Sequence, residues 1–192
     1  MKKLKLFLLA ALVTPLLTSC GYNSMVTKSE AVDASWAQVQ NVYQRRADLI
    51  PNLVATVKGY AAHESSTLEG VIEARAKATS VNINADQLTP EALAKFQSAQ
   101  QGLSGALGKL MMITENYPDL KANQNFLDLQ AQLEGTENRI TVERQKFNDA
   151  TRDYNTYIQQ FPKNMIAKMF DFNKKPYFQA EEGAKTAPKV QF

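Results

Sequence analysis

The sequence has one cysteine and one histidine among 192 residues. A single cysteine excludes an intrachain disulfide and a cysteine-rich metal site. The lone histidine, His63, precedes Glu64 as in a zinc-protease helix, but Thr67 stands where the second histidine ligand would be. Neither a hydrolase triad nor a paired-carboxylate motif can be assembled from the residues present. We therefore expect no metal, no cofactor and no catalysis.

The chain also has little excess of positive over negative charge. The chain has 22 basic and 19 acidic residues. Lys2, Lys3 and Lys5 lie in an N-terminal segment that has no acidic residue, so the remainder is balanced. A balanced chain lacks the basic surface that phosphate backbones require, which argues against nucleic acid as the main partner. Only the C-terminal part, residues 162–192, is basic.

The one long apolar run lies at the N-terminus, from Leu6 to Leu17. It is shorter than the roughly twenty residues of a membrane-spanning helix, and Pro15 interrupts it. Three lysines, an apolar run and small residues predict an export signal over residues 1–19, with a retained membrane helix as the alternative. The segment Leu17-Thr18-Ser19-Cys20 resembles the lipobox of bacterial lipoproteins, in which the signal is cut before an acylated cysteine.

Cys20 is therefore the predicted lipid attachment site and membrane anchor. Two or more acyl chains hold a protein stably to a bilayer, whereas one chain binds marginally. The protein is then expected in the cell envelope, outside the cytoplasm. By resemblance to sorting rules, Gly21 in place of aspartate favours the periplasmic face of the outer membrane if the host has two membranes.

Periodic apolar residues predict helices along most of the remaining chain. From Val32 to Val71 they recur every three or four residues, which places them on one helix face. Because proline removes a backbone hydrogen bond, Pro51 predicts a kink or a break near Leu49. Residues 79–89 lose this period and predict a polar loop.

A second helix is predicted from Thr89-Pro90, an N-cap followed by a first-turn proline, to about Glu115. It contains Gly102, Gly105 and Gly108, each of which costs about 1 kcal/mol relative to alanine in a helix. We interpret these glycines as a smooth face for close helix packing. A flexible or ligand-facing segment is the alternative.

A third helix is predicted from Asp119 to Phe161, about 65 Å long. Its apolar residues fall every seven positions, the repeat of a supercoiled seam: Phe126, Leu133, Ile140, Phe147, Tyr154 and Phe161. Pro162 ends it, and a short apolar segment, Met165 to Phe172, precedes a loose tail. The predicted fold is all-α, an elongated antiparallel bundle of three long helices plus a short C-terminal helix or a split first helix. Its divisions are a signal peptide (1–19), the bundle (20–178) and a flexible tail (179–192).

Several charged residues lie on or beside the apolar faces, and they are the candidate functional residues: Arg45, Arg46, Asp48, Glu64, Glu137, Arg139 and Arg144. Buried charges are tolerated only when they are paired and hydrogen-bonded. One reading is therefore that these side chains pair across the bundle and determine its register. The other is that they form a polar contact surface for a partner.

The segment Arg45-Arg46-Ala47-Asp48-Leu49-Ile50-Pro51-Asn52-Leu53-Val54 resembles the signature of the LemA family. Further segments match in order: Val57-Lys58-Gly59-Tyr60, Ala62-His63-Glu64, Glu115-Asn116-Tyr117-Pro118-Asp119-Leu120-Lys121-Ala122, Phe126-Leu127, Glu134-Gly135-Thr136-Glu137-Asn138-Arg139-Ile140, Tyr154-Asn155 and Phe161-Pro162. The resemblance covers Tyr22 to about Phe178. It implies a membrane-anchored antiparallel helical bundle outside the cytoplasm and supplies no catalytic residue. Many members keep an N-terminal membrane helix, so the lipobox is a departure that affects the anchor.

Two functional hypotheses follow. In the first, the protein is a lipid-anchored helical scaffold or adaptor for an unidentified membrane or periplasmic protein. In the second, it shapes or binds the bilayer directly through the basic tail and the segment from Met165 to Phe172.

Overall fold

A computed structural model describes the backbone of residues 2–179 and the side chains of residues 21–179. The helices are α1 (Lys2–Lys58), α2 (Ser65–Ser80), α3 (Pro90–Thr114), α4 (Pro118–Lys121), α5 (Gln124–Gln159) and α6 (Lys163–Met169), with a 3₁₀ turn at Ala85–Gln87. This part of the chain contains no strand, and the all-α prediction is confirmed. Signal cleavage, acylation of Cys20 and the tail from residue 180 onward lie outside the described side chains.

The four longer helices run alternately up and down. Helix α1 packs along α5, α2 returns along α1, and α3 packs against α2. The Trp36 indole N–H, for example, donates to the carbonyl oxygen of Ile83 at 2.9 Å, which ties α1 to the segment after α2. The core has two apolar clusters, one around Trp36, Phe96 and Phe147 and the other around Ile50, Leu110 and Phe126. Within residues 21–179, no helix combines the length and apolar composition needed to cross a bilayer.

The first predicted helix is split between Lys58 and Ser65, so of the kink or break predicted near Leu49, the break is wrong. Helix α1 continues through Pro51 to Lys58, and the chain reverses between that helix and α2. Pro51 has no N–H to give the carbonyl of Ala47 one turn earlier. Instead, Nε of Arg75 on α2 donates to that carbonyl at 2.7 Å. A bond from a neighbouring helix replaces the missing one, so the helix does not break at Leu49.

The third predicted helix is also divided. After α4, the side chain of Asn123 accepts from the amide of Phe126 at 3.1 Å and caps α5. The seam residues from Phe126 to Tyr154 are all buried, as their spacing predicts. Phe161 is 81% exposed, because α5 ends at Gln159 and the seven-residue period no longer applies.

The segment from residue 173 to residue 178, which the sequence analysis includes in the bundle, is docked on α5. Asn155 pairs with the backbone of Lys175 through bonds of 2.8 and 2.9 Å, and Asn148 pairs with that of Phe178 through bonds of 3.3 and 2.9 Å. Lys175 also forms an ion pair with Asp33. These bonds hold an extended strand-like segment along α5, and Phe178 enters the first apolar cluster.

Candidate functional site

Arg46 lies at the centre of a buried polar layer and is itself only 2% exposed. Its Nη1 donates to Oε2 of Glu137 at 2.9 Å and to Oγ of Ser104 at 3.0 Å. Its Nη2 donates to Oε1 of Gln100 at 2.6 Å and to the Gln100 carbonyl at 3.3 Å. The guanidinium carbon lies 5.1 Å from the centre of the Tyr43 ring. The Arg46 Nε is buried without a hydrogen-bond partner among the described atoms.

This polar layer separates the two apolar clusters of the core. Along α1, Arg46 falls between Tyr43 and Ile50, and along α3, Gln100 falls between Phe96 and Leu103. A buried guanidinium is costly unless it is fully paired. A slip of α3 or α5 by one turn would leave Arg46 without its partners. We infer that the layer determines the register of the bundle.

The Glu137 end of the layer opens to solvent. The Glu137 side chain is 56% exposed, and a groove of about 360 Å³ runs beside it between α3 and α5. The lining combines apolar residues such as Leu107 and Met111 with Glu134 and Glu137, and it includes no histidine or cysteine. Because Arg46 already donates to four acceptor oxygens, its guanidinium is held within the layer beside this groove.

The other predicted residues have separate environments. Glu64 accepts from the Tyr117 hydroxyl at 3.1 Å. Desolvation and this bond to a carboxylate raise the pKa of Tyr117. Asp48 accepts from Gln44 on its own helix at 2.7 Å.

Arg144 donates to the Gln179 carbonyl at 3.2 Å, lies 4.8 Å over the Phe178 ring, and lines a small crevice with Arg46 and Glu137. Arg45 and Arg139 are exposed. The structure therefore joins Arg46 directly to Glu137, places Arg144 at the edge of the layer, and leaves the remaining candidates outside it.

A second, larger groove of about 870 Å³ lies between α2 and α3. Small residues form its floor, among them Gly70, Ala74, Gly102 and Gly105. A Cβ added at Gly70, Gly102, Gly105 or Gly108 would have no described atom within 4 Å apart from the glycine, its chain neighbours and the nearby backbone of its own helix. The predicted close packing on these glycines was therefore wrong for the described chain, since their faces are open.

Sequence reasoning missed the polar partners that act across helices. Gln100 and Ser104 complete the Arg46 layer, and neither stands in a local motif. A signal for the two asparagines was present: Phe147-Asn148 and Tyr154-Asn155 repeat an aromatic residue followed by asparagine at an interval of seven. Among residues 21–179, no three His, Cys, Asp or Glu side chains are grouped so that they could hold a metal ion.

Comparison with known proteins places this bundle in a family. The sequence model of the LemA family matches residues 35–192. The chain belongs to the LemA family. The LemA protein of Metamycoplasma hominis is 26% identical over 160 residues, which are 83% of this chain and 69% of the relative.

Two further relatives of this chain are named as magnetosome proteins. MamQ 2 of Paramagnetospirillum magneticum is 28% identical over 182 residues, covering 86% of this chain and 67% of the relative. MamQ of Magnetospirillum gryphiswaldense is 28% identical over 195 residues, covering 93% and 71%. The LemA family match, residues 35–192, includes the polar layer and both grooves.

Proposed function

We propose that this LemA protein is a lipid-anchored scaffold of the cell envelope, which presents the groove between α2 and α3 to a helix of a membrane or periplasmic protein. The observation that carries the proposal is the open, glycine-containing floor of that groove. Glycines cost helix stability, and the Cβ positions of the groove glycines meet no packed neighbour within the described chain, so we infer that these glycines leave room for a partner.

The N-terminal sequence supports a lipid anchor at Cys20. Lysines, a short apolar run and a lipobox-like segment precede Cys20, and α1 carries the chain from that point into the bundle. In this proposal the bundle lies outside the cytoplasm, at the periplasmic face of the outer membrane if the host has two membranes. The family description and the names of the relatives denote no reaction, which supports a binding role.

The shape and charge of the groove favour a helical partner with acidic side chains. The α2 wall runs from Ser66 to Ser80, about 21 Å of helix, which is close to four turns. Small side chains let a second helix approach closely. Lys95 and Lys109 are exposed on the α3 side, whereas Lys77 on α2 is paired with Glu73 at 2.8 Å. This pairing lowers the pKa of Glu73.

The test blocks the groove without disturbing the fold. Gly105→Leu fills the groove, and Gly135→Leu places the same side chain on α5 outside it. Apart from the local backbone and the chain neighbours, no described atom lies within 4 Å of the Cβ position at either glycine, and both sites lie within helices. Both changes should therefore favour the helix by similar amounts.

Intact envelopes that carry each variant are crosslinked, and the captured proteins are identified by mass spectrometry. We expect the wild type and Gly135→Leu to recover the same envelope protein, and Gly105→Leu to lose it. Recovery of no envelope protein above an untagged control, or equal recovery by both variants, would contradict the proposal.

A further inference from the structure

Exposed apolar side chains are concentrated at one end of the bundle. Phe161 is 81% exposed, Met165 63%, Met169 76% and Phe170 53%. Met165 and Met169 are spaced four residues apart within α6, so they lie on one side of that helix. Phe161 lies two residues before α6, and Phe170 directly follows it. The opposite side of α6 faces inward, where Ala167 is 4% exposed. Here we call Phe161, Met165, Met169 and Phe170 the α6 patch.

The α6 patch lies where α1 enters the bundle. The Cδ1 atom of Ile166 would be 3.2 Å from a Cβ added at Gly21. The Tyr22 ring stacks edge-on against Phe170 with ring centres 4.9 Å apart. Gly21 directly follows Cys20, and the apolar run ending at Leu17 lies just before it. An anchor at Cys20 therefore brings the bilayer to this end of the molecule.

The charges around the patch suit an anionic surface. Lys163 and Lys168 lie on α6, and Lys174 follows that helix. Lys168 and Lys174 are exposed to solvent. Lys163 lies 3.7 Å from the centre of the Tyr157 ring. Between Phe161 and Lys174, one residue is acidic, Asp171. Lysines beside exposed aromatic and methionine side chains are typical of segments that lie in the interface of a bilayer.

We propose that the α6 patch inserts into the anionic bilayer that holds Cys20, so that the bundle stands with this end against the membrane. The inference rests on the proposed anchoring at Cys20. It adds a second membrane contact, which limits how far the bundle can tilt and directs the opposite end, around Tyr60 and Met112, away from the surface.

The test uses the full chain, purified with its native anchor and reconstituted into vesicles of phosphatidylethanolamine and phosphatidylglycerol with brominated acyl chains. Bromine quenches tryptophan fluorescence at short range. Met169→Trp reports on the patch, and Met112→Trp is the matched control, because Met112 is 67% exposed in the other half of the bundle. The wild type, with Trp36 buried, gives the baseline. Phe161→Trp provides a second reporter in case Met169→Trp does not fold.

We expect the emission added by Met169→Trp to be largely lost on brominated vesicles, and that added by Met112→Trp to persist. Adding Lys168→Glu to Met169→Trp should restore part of the emission. Equal and weak quenching of patch and control reporters, with the protein still sedimenting with the vesicles, overturns the inference and leaves the anchor intact. Protein that does not sediment with the vesicles overturns the anchor and the inference together.

Discussion

Helix α1 tolerates Pro51 because Arg75 on α2 replaces the backbone donor that proline lacks. Pro51 cannot donate to the carbonyl of Ala47, and Arg75 donates to it from α2 at 2.7 Å. Ala47 is 3% exposed, so water cannot readily take the place of Arg75. Arg75→Met removes the donor and keeps most of the side-chain volume. Pro51→Ala supplies a backbone N–H one turn away from the same carbonyl.

Leaving a buried carbonyl without a donor costs about 1–3 kcal/mol. We therefore expect Arg75→Met to lower the free energy of unfolding by about 2 kcal/mol in the natural chain. Pro51→Ala alone should raise it, since an interior proline costs a helix about 3 kcal/mol and the Pro51 ring is exposed. In the Pro51→Ala background, Arg75→Met should cost less than about 1 kcal/mol, because the helix then satisfies Ala47 itself.

The assay is urea unfolding in detergent of the natural chain, the two single variants and the double variant. Unfolding is monitored by Trp36 fluorescence and by the helical circular dichroism signal. Lys77→Met is the control, since its side chain is 70% exposed and an ion pair between two exposed side chains, such as its pair with Glu73, contributes little to stability. If Arg75→Met costs the same with Pro51 and with alanine at that position, the two sites do not share the Ala47 carbonyl and the reasoning is refuted.

Three further changes test other parts of the structure. Arg46→Leu should cost about 3 kcal/mol in urea unfolding, because Oε1 of buried Gln100 loses its donor, and a cost near zero would place Arg46 in solvent. Asn155→Ala should cost about 2 kcal/mol and make the extended C-terminal segment sensitive to trypsin, so unchanged proteolysis would argue against its docking on α5. Burial, reinforced by the charge of Asp33, raises the pKa of Tyr154. The Tyr154 phenol therefore ionises at a lower pH in the unfolded chain than in the folded chain. The free energy of unfolding has its full value below about pH 10 and falls as the pH rises through the folded pKa. Tyr154→Phe should show a smaller alkaline loss in thermal melts, and equal losses would remove this residue as the cause.

The parts of the fold that local patterns determine were predicted well. The seam from Phe126 to Tyr154 is buried because a seven-residue apolar period places every member on one side of a helix. The start of α3 was predicted correctly because the Thr89 hydroxyl accepts from the Ala92 amide at 3.1 Å, a contact within one turn.

The errors arose where distant residues decide the outcome. The effect of Pro51 depends on Arg75, which reaches back from the next helix. The contacts that dock residues 173–178 could not be predicted, because Asn148 and Asn155 lie 20 to 30 residues away from their partners in the sequence. Glycine spacing on α3 marks a small-residue face, but it does not say whether another helix covers that face.

In the candidate site, the sequence identified Arg46 and Glu137 as charges near apolar faces. It did not identify Gln100 or Ser104 as their partners. Polar residues on a mostly apolar helix face give a position but no partner, because pairing depends on how the helices are stacked.

Both proposals depend on attachment to the membrane at the start of the bundle, and intact-mass spectrometry of the protein purified from envelopes tests it most directly. The account predicts a chain that begins at Cys20 and carries acyl groups on that residue. An unmodified chain that begins at Met1 would contradict it.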